Sequence, residues 1–184
     1  SVKILVTGSK GFIGKNLICE LKNRGYKNIL EYDIDTEQEL LERYTLECDF
    51  IFHLAGVNRP QKEEDFMKGN FGFTLKLLEM LKTHKNKCPI LITSSIQAAL
   101  DNSYGRSKKA SEELIISYRK EYGINVYIYR LPNVFGKWCR PNYNSVIATF
   151  CYNIAHNLPI KINDPQVLIQ LVYIDDVVKE FISA

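Results

Sequence analysis

The stretch K-I-L-V-T-G-S-K-G-F-I-G, Lys3 to Gly14, carries a strand-length apolar run directly into glycines at positions 8, 11 and 14. An amphipathic pattern follows, with Phe12-Ile13, Leu17-Ile18 and Leu21 at helical spacing. A strand, a glycine turn and a helix in that order form the place where a dinucleotide pyrophosphate sits. The glycines permit a tight turn and close backbone approach, while the helix start around Phe12 and Ile13 offers free N–H groups and a positive dipole. The same glycines can also serve a plain strand-helix turn that needs positive φ. Asp33 weighs for the nucleotide, because it ends the second apolar run about 20 residues on, where ribose recognition requires an acid.

Outward from that loop the alternation continues. Strand-like runs recur at Asn28 to Tyr32, Phe50 to Leu54, Pro89 to Thr93, Asn125 to Arg130 and Val167 to Tyr173, and helical patterns containing Leu75 to Leu81 and Leu114 to Tyr122 lie between them. Continuous apolar strands alternating with amphipathic helices predict an α/β fold with a Rossmann-like doubly wound parallel sheet. Only one helix fits between Asp33 and Asp49, so the sheet is expected to be one strand-helix unit shorter after its second strand, with looser adenine recognition. The whole of 1–184 reads as a single NAD(P)-binding domain. Its end at Asp175 to Ala184 reads as the opening of a helix, as if the domain were truncated there.

Composition bounds the remainder. The 184 residues are 46% hydrophobic with a net charge of +3 and no long basic block, so no electrostatic footprint for nucleic acid is present. No apolar run approaches the ~20 residues that span a bilayer, and the first residues lack a signal-peptide pattern, which reads as cytoplasmic. Five cysteines, Cys19, Cys48, Cys88, Cys139 and Cys151, have no paired spacing and read as reduced thiols, mostly core. Three scattered histidines give no metal-ligand spacing. His53, in an apolar strand, reads as a satisfied core histidine, and His84 and His156 read as helix-end residues.

Chemistry enters with Tyr104 and Lys108. With 11 tyrosines in the chain, Y-x-x-x-K arises readily by chance. The setting gives it meaning, since both residues open a helix, where i and i+4 share a face. A neighbouring cation favours a phenolate, so Lys108 and an oxidised nicotinamide are expected to depress the Tyr104 pKa toward neutrality. Tyr104 would then exchange a proton with a carbonyl or alcohol oxygen while hydride moves to or from the nicotinamide, and Lys108 would also hold the nicotinamide ribose. Ser95, just past an apolar strand, is placed to polarise the same oxygen. Asn102 and Ser103 look like a helix cap.

Two residues pull cofactor choice apart. Asp33 would accept from a ribose 2′-hydroxyl and repel a 2′-phosphate, favouring NAD; Lys10 would pair with that phosphate, favouring NADP, or is simply a solvated loop charge.

The glycine loop, D-F-I-F-H-L-A-G (Asp49 to Gly56), Asn70, the pair Ser94-Ser95, Tyr104 with Lys108, R-L-P-N-V-F-G (Arg130 to Gly136) and V-Y-I-D-D-V-V (Val172 to Val178) together resemble the extended short-chain dehydrogenase/reductase superfamily, also called the NAD-dependent epimerase/dehydratase superfamily. That resemblance implies Ser95, Tyr104 and Lys108 as the catalytic set. It implies Gly8, Lys10, Gly11, Gly14, Leu54, Ala55, Gly56, Pro132, Asn133 and Val134 on the cofactor side, and Ser94 and Asn133 near the substrate. The segment Phe135 to Ala155 is similar to the reductase half of bacterial capsular polysaccharide enzymes that make N-acetyl-L-fucosamine precursors. In that family a reductase domain reduces a 4-keto UDP-sugar with NADPH, and a C-terminal cupin domain acts beside it. A homodimer is implied as well.

Arg59 and Lys137 or Arg140 are candidate diphosphate partners, and Trp138 and Cys139 candidate pocket residues; surface charge and simple packing are their plain alternatives. Dehydratases of the superfamily carry Thr-Asp-Glu where this chain has Ser95-Ile96-Gln97, so the carboxyl groups that dehydration needs are absent from that run. Reduction of a 4-keto UDP-amino sugar, with NADP(H) favoured by resemblance and NAD(H) by Asp33, is the leading expectation. An NAD-dependent nucleotide-sugar 4-epimerase and a non-catalytic dinucleotide sensor are the alternatives, and retention of Ser95, Tyr104 and Lys108 weighs against the sensor.

Overall fold

Ile4, Leu5 and Val6 are fully buried in succession, which requires a strand covered on both faces. They lie in β1 (Lys3–Thr7), the middle of a five-stranded parallel sheet of order β2-β1-β3-β4-β5. This computed structural model describes residues 1–54, 64–131 and 151–156. The other strands are β2 (Asn28–Tyr32), β3 (Phe50–His53), β4 (Ile90–Ser95) and β5 (Val126–Leu131). The expected Rossmann-like sheet is therefore present through β5, and the run Val167 to Tyr173 lies outside the described residues.

Alternation along each strand divides the core in two. Ile4, Val6, Phe50, Phe52, Leu91 and Tyr127 face Leu17, Ile18 and Leu21 of α1 (Phe12–Asn23), together with Cys151, Ile154 and Ala155. Leu5, Ile51, Ile90, Ile92 and Ile128 face the opposite layer. That layer comprises α2 (Gln38–Glu47), α4 (Phe73–Thr83) and α5 (Ser103–Tyr122), which contribute Leu41, Leu77, Leu78, Leu81, Ile115 and Tyr118. Each fully buried side chain of this size stabilises the fold by ~1.5–3 kcal/mol, so the two layers rather than helix propensity hold the helices in place.

A three-residue α3 (Glu64–Phe66) leads into a π-helical turn (Met67–Gly72) before α4. The one helix expected between Asp33 and Asp49 is α2, and β2 is the last described strand on its side of the sheet. Cys48 and Cys88 are buried with their sulfurs 3.7 Å apart, Cys151 is buried, and Cys19 is exposed; all four are free thiols. No helix among the described residues is long and apolar enough to cross a membrane, and they contain no group of three or more residues able to hold a metal.

The chain steps from β1 to β2 on one side and then past β1 to β3 on the other. A sheet wound both ways leaves a crevice at the C-terminal ends of the strands flanking that reversal. Thr7 of β1 pairs there with His53 of β3, and the candidate site is built from that point.

Candidate active site

Gly8 takes φ +67°, a conformation that favours glycine, and turns the chain out of β1. A Cβ on Gly14 would lie 2.2 Å from the Gly8 carbonyl oxygen, so only glycine lets α1 start this close to the loop. The N-cap of α1 is Gly11, which has no side chain to cap the helix, and the first turn carries no acidic residue. The helix therefore presents its positive end without an acidic side chain of its own first turn, as a pyrophosphate site requires.

The loop is fixed to the end of β2. Ser9 N–H donates to the Tyr32 carbonyl (3.2 Å), and Lys10 N–H donates to Asp33 Oδ2 (2.7 Å). Ile34 N–H donates to Asp33 Oδ1 (2.7 Å), so both oxygens of this carboxylate are oriented by backbone donors. The Lys10 ammonium pairs with Asp35, which raises the Lys10 pKa and lowers that of Asp35. Ile34 beside them is almost wholly exposed.

Ser95 ends β4, and Tyr104 and Lys108 open α5, whose N-cap Asn102 accepts from Gly105 N–H through its side chain (2.7 Å). The expected cap is thus provided by Asn102. Ser95 Oγ accepts from Gln97 N–H (3.1 Å) and is hydrogen-bonded to the Tyr104 hydroxyl. The Lys108 ammonium lies 5.7 Å from the centre of the Tyr104 ring, and Phe66 meets that ring edge-on at 5.2 Å. The three residues expected to act together are adjacent.

Their ionisation corrects one expectation. The Tyr104 pKa is raised, because burial outweighs the lowering by the Ser95 hydrogen bond. Burial instead pushes Lys108 down to about 8, opposed by the charge of Glu112. A phenol kept protonated suits a proton donor.

A buried polar chain joins the loop to this helix. Thr74 Oγ1 donates to the Asn70 carbonyl (2.8 Å), so it accepts from His53 Nε2–H (2.9 Å). The other ring nitrogen, Nδ1, then accepts from the Thr7 hydroxyl (2.7 Å), which itself accepts from Leu54 N–H (3.1 Å). His53 is 1% exposed and its pKa falls to about 3, first through burial and then through the charge of Lys108. It is a satisfied core histidine of fixed tautomer. Asn70, in the π turn, donates through Nδ2 to Ser107 Oγ (2.9 Å), and Ser107 donates to the Tyr104 carbonyl (2.7 Å).

Ser94 points elsewhere. Its hydroxyl donates to Glu112 Oε2 (2.5 Å), and it is buried, so a direct substrate contact by Ser94 does not fit this geometry. Adjacent strand residues face opposite sides, which separates Ser94 from Ser95. Glu112 was not legible as a site residue, nor were Thr7, Thr74 and Ser107. Its position one turn beyond Lys108 was the available signal, but a glutamate on a helix reads first as solvated. Ala55, Gly56, Arg59, Pro132, Asn133, Val134, Lys137, Trp138, Cys139 and Arg140 lie outside the described residues.

Residues 4–184 match the model of the NAD dependent epimerase/dehydratase family, and the chain belongs to that family. It is 50% identical over 182 residues to the UDP-2-acetamido-2,6-beta-L-arabino-hexul-4-ose reductase of Pseudomonas aeruginosa, covering 99% of this chain and 49% of that protein. It is 27% identical to UDP-glucuronate 4-epimerase 6 of Arabidopsis thaliana, covering 100% of this chain and 51% of that protein. Among solved structures, the capsular polysaccharide assembling protein CapF of Staphylococcus aureus matches with a TM-score of 0.65 and 49% identity, covering 97% of this chain and 48% of that one. The chain spans about half the length of these relatives.

Proposed function

We propose that this member of the NAD dependent epimerase/dehydratase family reduces a 4-keto UDP-amino sugar with a reduced nicotinamide cofactor. The observation that carries the reading is the Ser95, Tyr104 and Lys108 group at the C-terminal end of β4, with Tyr104 held as a protonated phenol. The name borne by the 50% identical relative supports the substrate class. When bound, the cofactor supplies a hydride to the carbonyl carbon. Ser95 polarises the carbonyl oxygen, and Tyr104 gives that oxygen its proton, so the C=O becomes a CH–OH. The phenolate left behind is stabilised by the Lys108 ammonium and reprotonated from solvent. General acid catalysis of this kind is worth ~10²–10⁴-fold in rate. Ile96 and Gln97 follow Ser95, and neither ionises, which supports reduction over dehydration.

For the cofactor, NADH is the better fit. Asp33 is oriented by backbone donors at the ribose end of the loop, and Lys10 is paired with Asp35, so two carboxylates meet a 2′-phosphate and the one loop cation is already engaged.

The test is to mix full-length protein with a 4-keto UDP-amino sugar and follow reduced-nicotinamide absorbance. Consumption of one equivalent per sugar supports the reading. Turnover of a UDP-sugar without net consumption supports instead a 4-epimerase, the activity named for the 27% identical relative.

A further inference from the structure

We propose that His53 is a positioning residue of the reaction: held between Thr7 and Thr74, it fixes the π turn that in turn places Tyr104, and so ties the proton donor to the strand end that launches the glycine loop. The inference rests on the reductase reading of Tyr104.

Thr7 and His53 are the last residues of β1 and β3 and stand opposite each other in the register. Beyond Thr7 the chain turns into the glycine loop at Gly8, so the Thr7 hydroxyl, 2.7 Å from the ring Nδ1, joins His53 to the root of that loop. The other nitrogen, Nε2, donates to Thr74 Oγ1 (2.9 Å), and the Thr74 hydroxyl donates to the Asn70 carbonyl in the π turn (2.8 Å). The ring also stacks on Phe73, the first residue of α4, at 5.4 Å. Phe73 stacks in turn on Tyr32 at 5.7 Å, and the Tyr32 carbonyl accepts from Ser9 N–H of the loop (3.2 Å).

Two contacts run from this region to Tyr104. Asn70 Nδ2 donates to Ser107 Oγ (2.9 Å) and Ser107 donates to the Tyr104 carbonyl (2.7 Å), which holds the main chain at the start of α5. Phe66, the residue before the π turn, meets the Tyr104 ring edge-on at 5.2 Å. One contact holds the backbone and the other the ring, so the aim of the hydroxyl at Ser95 follows the position of the π turn.

The choice of histidine fits this role. The rest of β3 is Phe50, Ile51 and Phe52, and a fourth apolar residue would fill the core without the desolvation cost of an imidazole. What the imidazole adds is one donor and one acceptor at fixed angles on a rigid ring. Thr7, His53, Thr74, Asn70 and Ser107 are all buried. A bond broken within such a chain is not replaced by solvent, so its neighbours shift to satisfy the group left over.

The experiment uses the full-length protein and cuts the chain at two separate places. His53→Leu removes both ring bonds, His53→Gln keeps an amide donor for Thr74, and Ser107→Ala breaks the far end without touching His53. With a 4-keto UDP-amino sugar, kcat is expected to fall about 10- to 100-fold in His53→Leu and in Ser107→Ala, with KM little changed and most of the loss recovered in His53→Gln. The double variant His53→Leu with Ser107→Ala is expected to be about as slow as the slower single one, since both cut the same chain, whereas independent defects multiply. Tyrosine labelled with ¹³C at Cζ follows Tyr104 without turnover, its resonance being assigned with Tyr104→Phe. That resonance is expected to move in the same direction in His53→Leu and Ser107→Ala and to return in His53→Gln. If His53→Leu fails to fold, Thr74→Val cuts the next bond with little change of shape and takes its place. A Tyr104 resonance unmoved in the folded variants, an unchanged kcat, or losses that multiply in the double variant overturns the proposal. A parent protein that reduces no 4-keto UDP-amino sugar overturns the reductase reading instead, and the resonance alone then decides whether His53 places Tyr104.

Discussion

The Tyr104 hydroxyl is hydrogen-bonded to Ser95, the last residue of β4, although the two lie on different elements. That pairing brings a half-buried phenol to the strand end where a carbonyl oxygen can meet both groups. Tyr104→Phe removes the proton and leaves the ring against Phe66 and Lys108. We expect kcat to fall by ~10²–10⁴-fold with cofactor affinity nearly unchanged, measured by steady-state kinetics and fluorescence titration. A variant that keeps most of its kcat removes Tyr104 from the chemistry.

We propose that Asp33 and Asp35 set the cofactor preference. NADH is expected to bind at least about tenfold more tightly than NADPH, a difference of ~1.4 kcal/mol. Asp33→Ser combined with Asp35→Asn frees Lys10 and should narrow or reverse the preference. Equal or tighter NADPH binding by the parent protein contradicts the reading.

Gly14→Ala tests the cradle. The added methyl would sit 2.2 Å from the Gly8 carbonyl oxygen, so loop and helix must separate. Overpacking of this kind costs ~1–3 kcal/mol. Both a lower unfolding midpoint and cofactor binding weakened more than about tenfold are expected, by thermal denaturation and titration.

His53 makes acid stability a specific observable. Its folded pKa of about 3 is depressed below 6.5 by burial, so between those values the unfolded chain binds a proton that the folded protein refuses. Stability is then fully present above pH 6.5 and lost as pH falls toward 3, at up to about 1.4 kcal/mol per pH unit from this residue. Urea unfolding between pH 7 and 4.5 should show a shallower decline for His53→Asn than for the parent. Parallel declines would mean that His53 charges in the folded state.

Much of this was legible because the signals are local. The run Lys3 to Gly14 contains its own strand, turn and helix, and the short spacing from Asp33 to Asp49 showed that only α2 fits before β3. Other features depend on partners far along the chain. The run read as Pro89 to Thr93 continues as a strand to Ser95, because the polar Ser94 and Ser95 complete the ladder with Arg130 and Leu131. Glu112 becomes a buried residue only through Arg130 and Ser94, and the direction of the Tyr104 shift depends on burial, which spacing does not encode. The π turn at Met67–Gly72, which puts Asn70 against Ser107, has no counterpart in the 3.6-residue periodicity used to find helices.

Hydride transfer to the keto carbon of a UDP-sugar is tested most directly by isotope tracing. The full-length protein is incubated with a 4-keto UDP-amino sugar and NADH deuterated at the transferable position, and the product is analysed by mass spectrometry and NMR. One deuterium retained at C4 of the alcohol product is expected. A sugar product formed without deuterium at C4 would contradict the account.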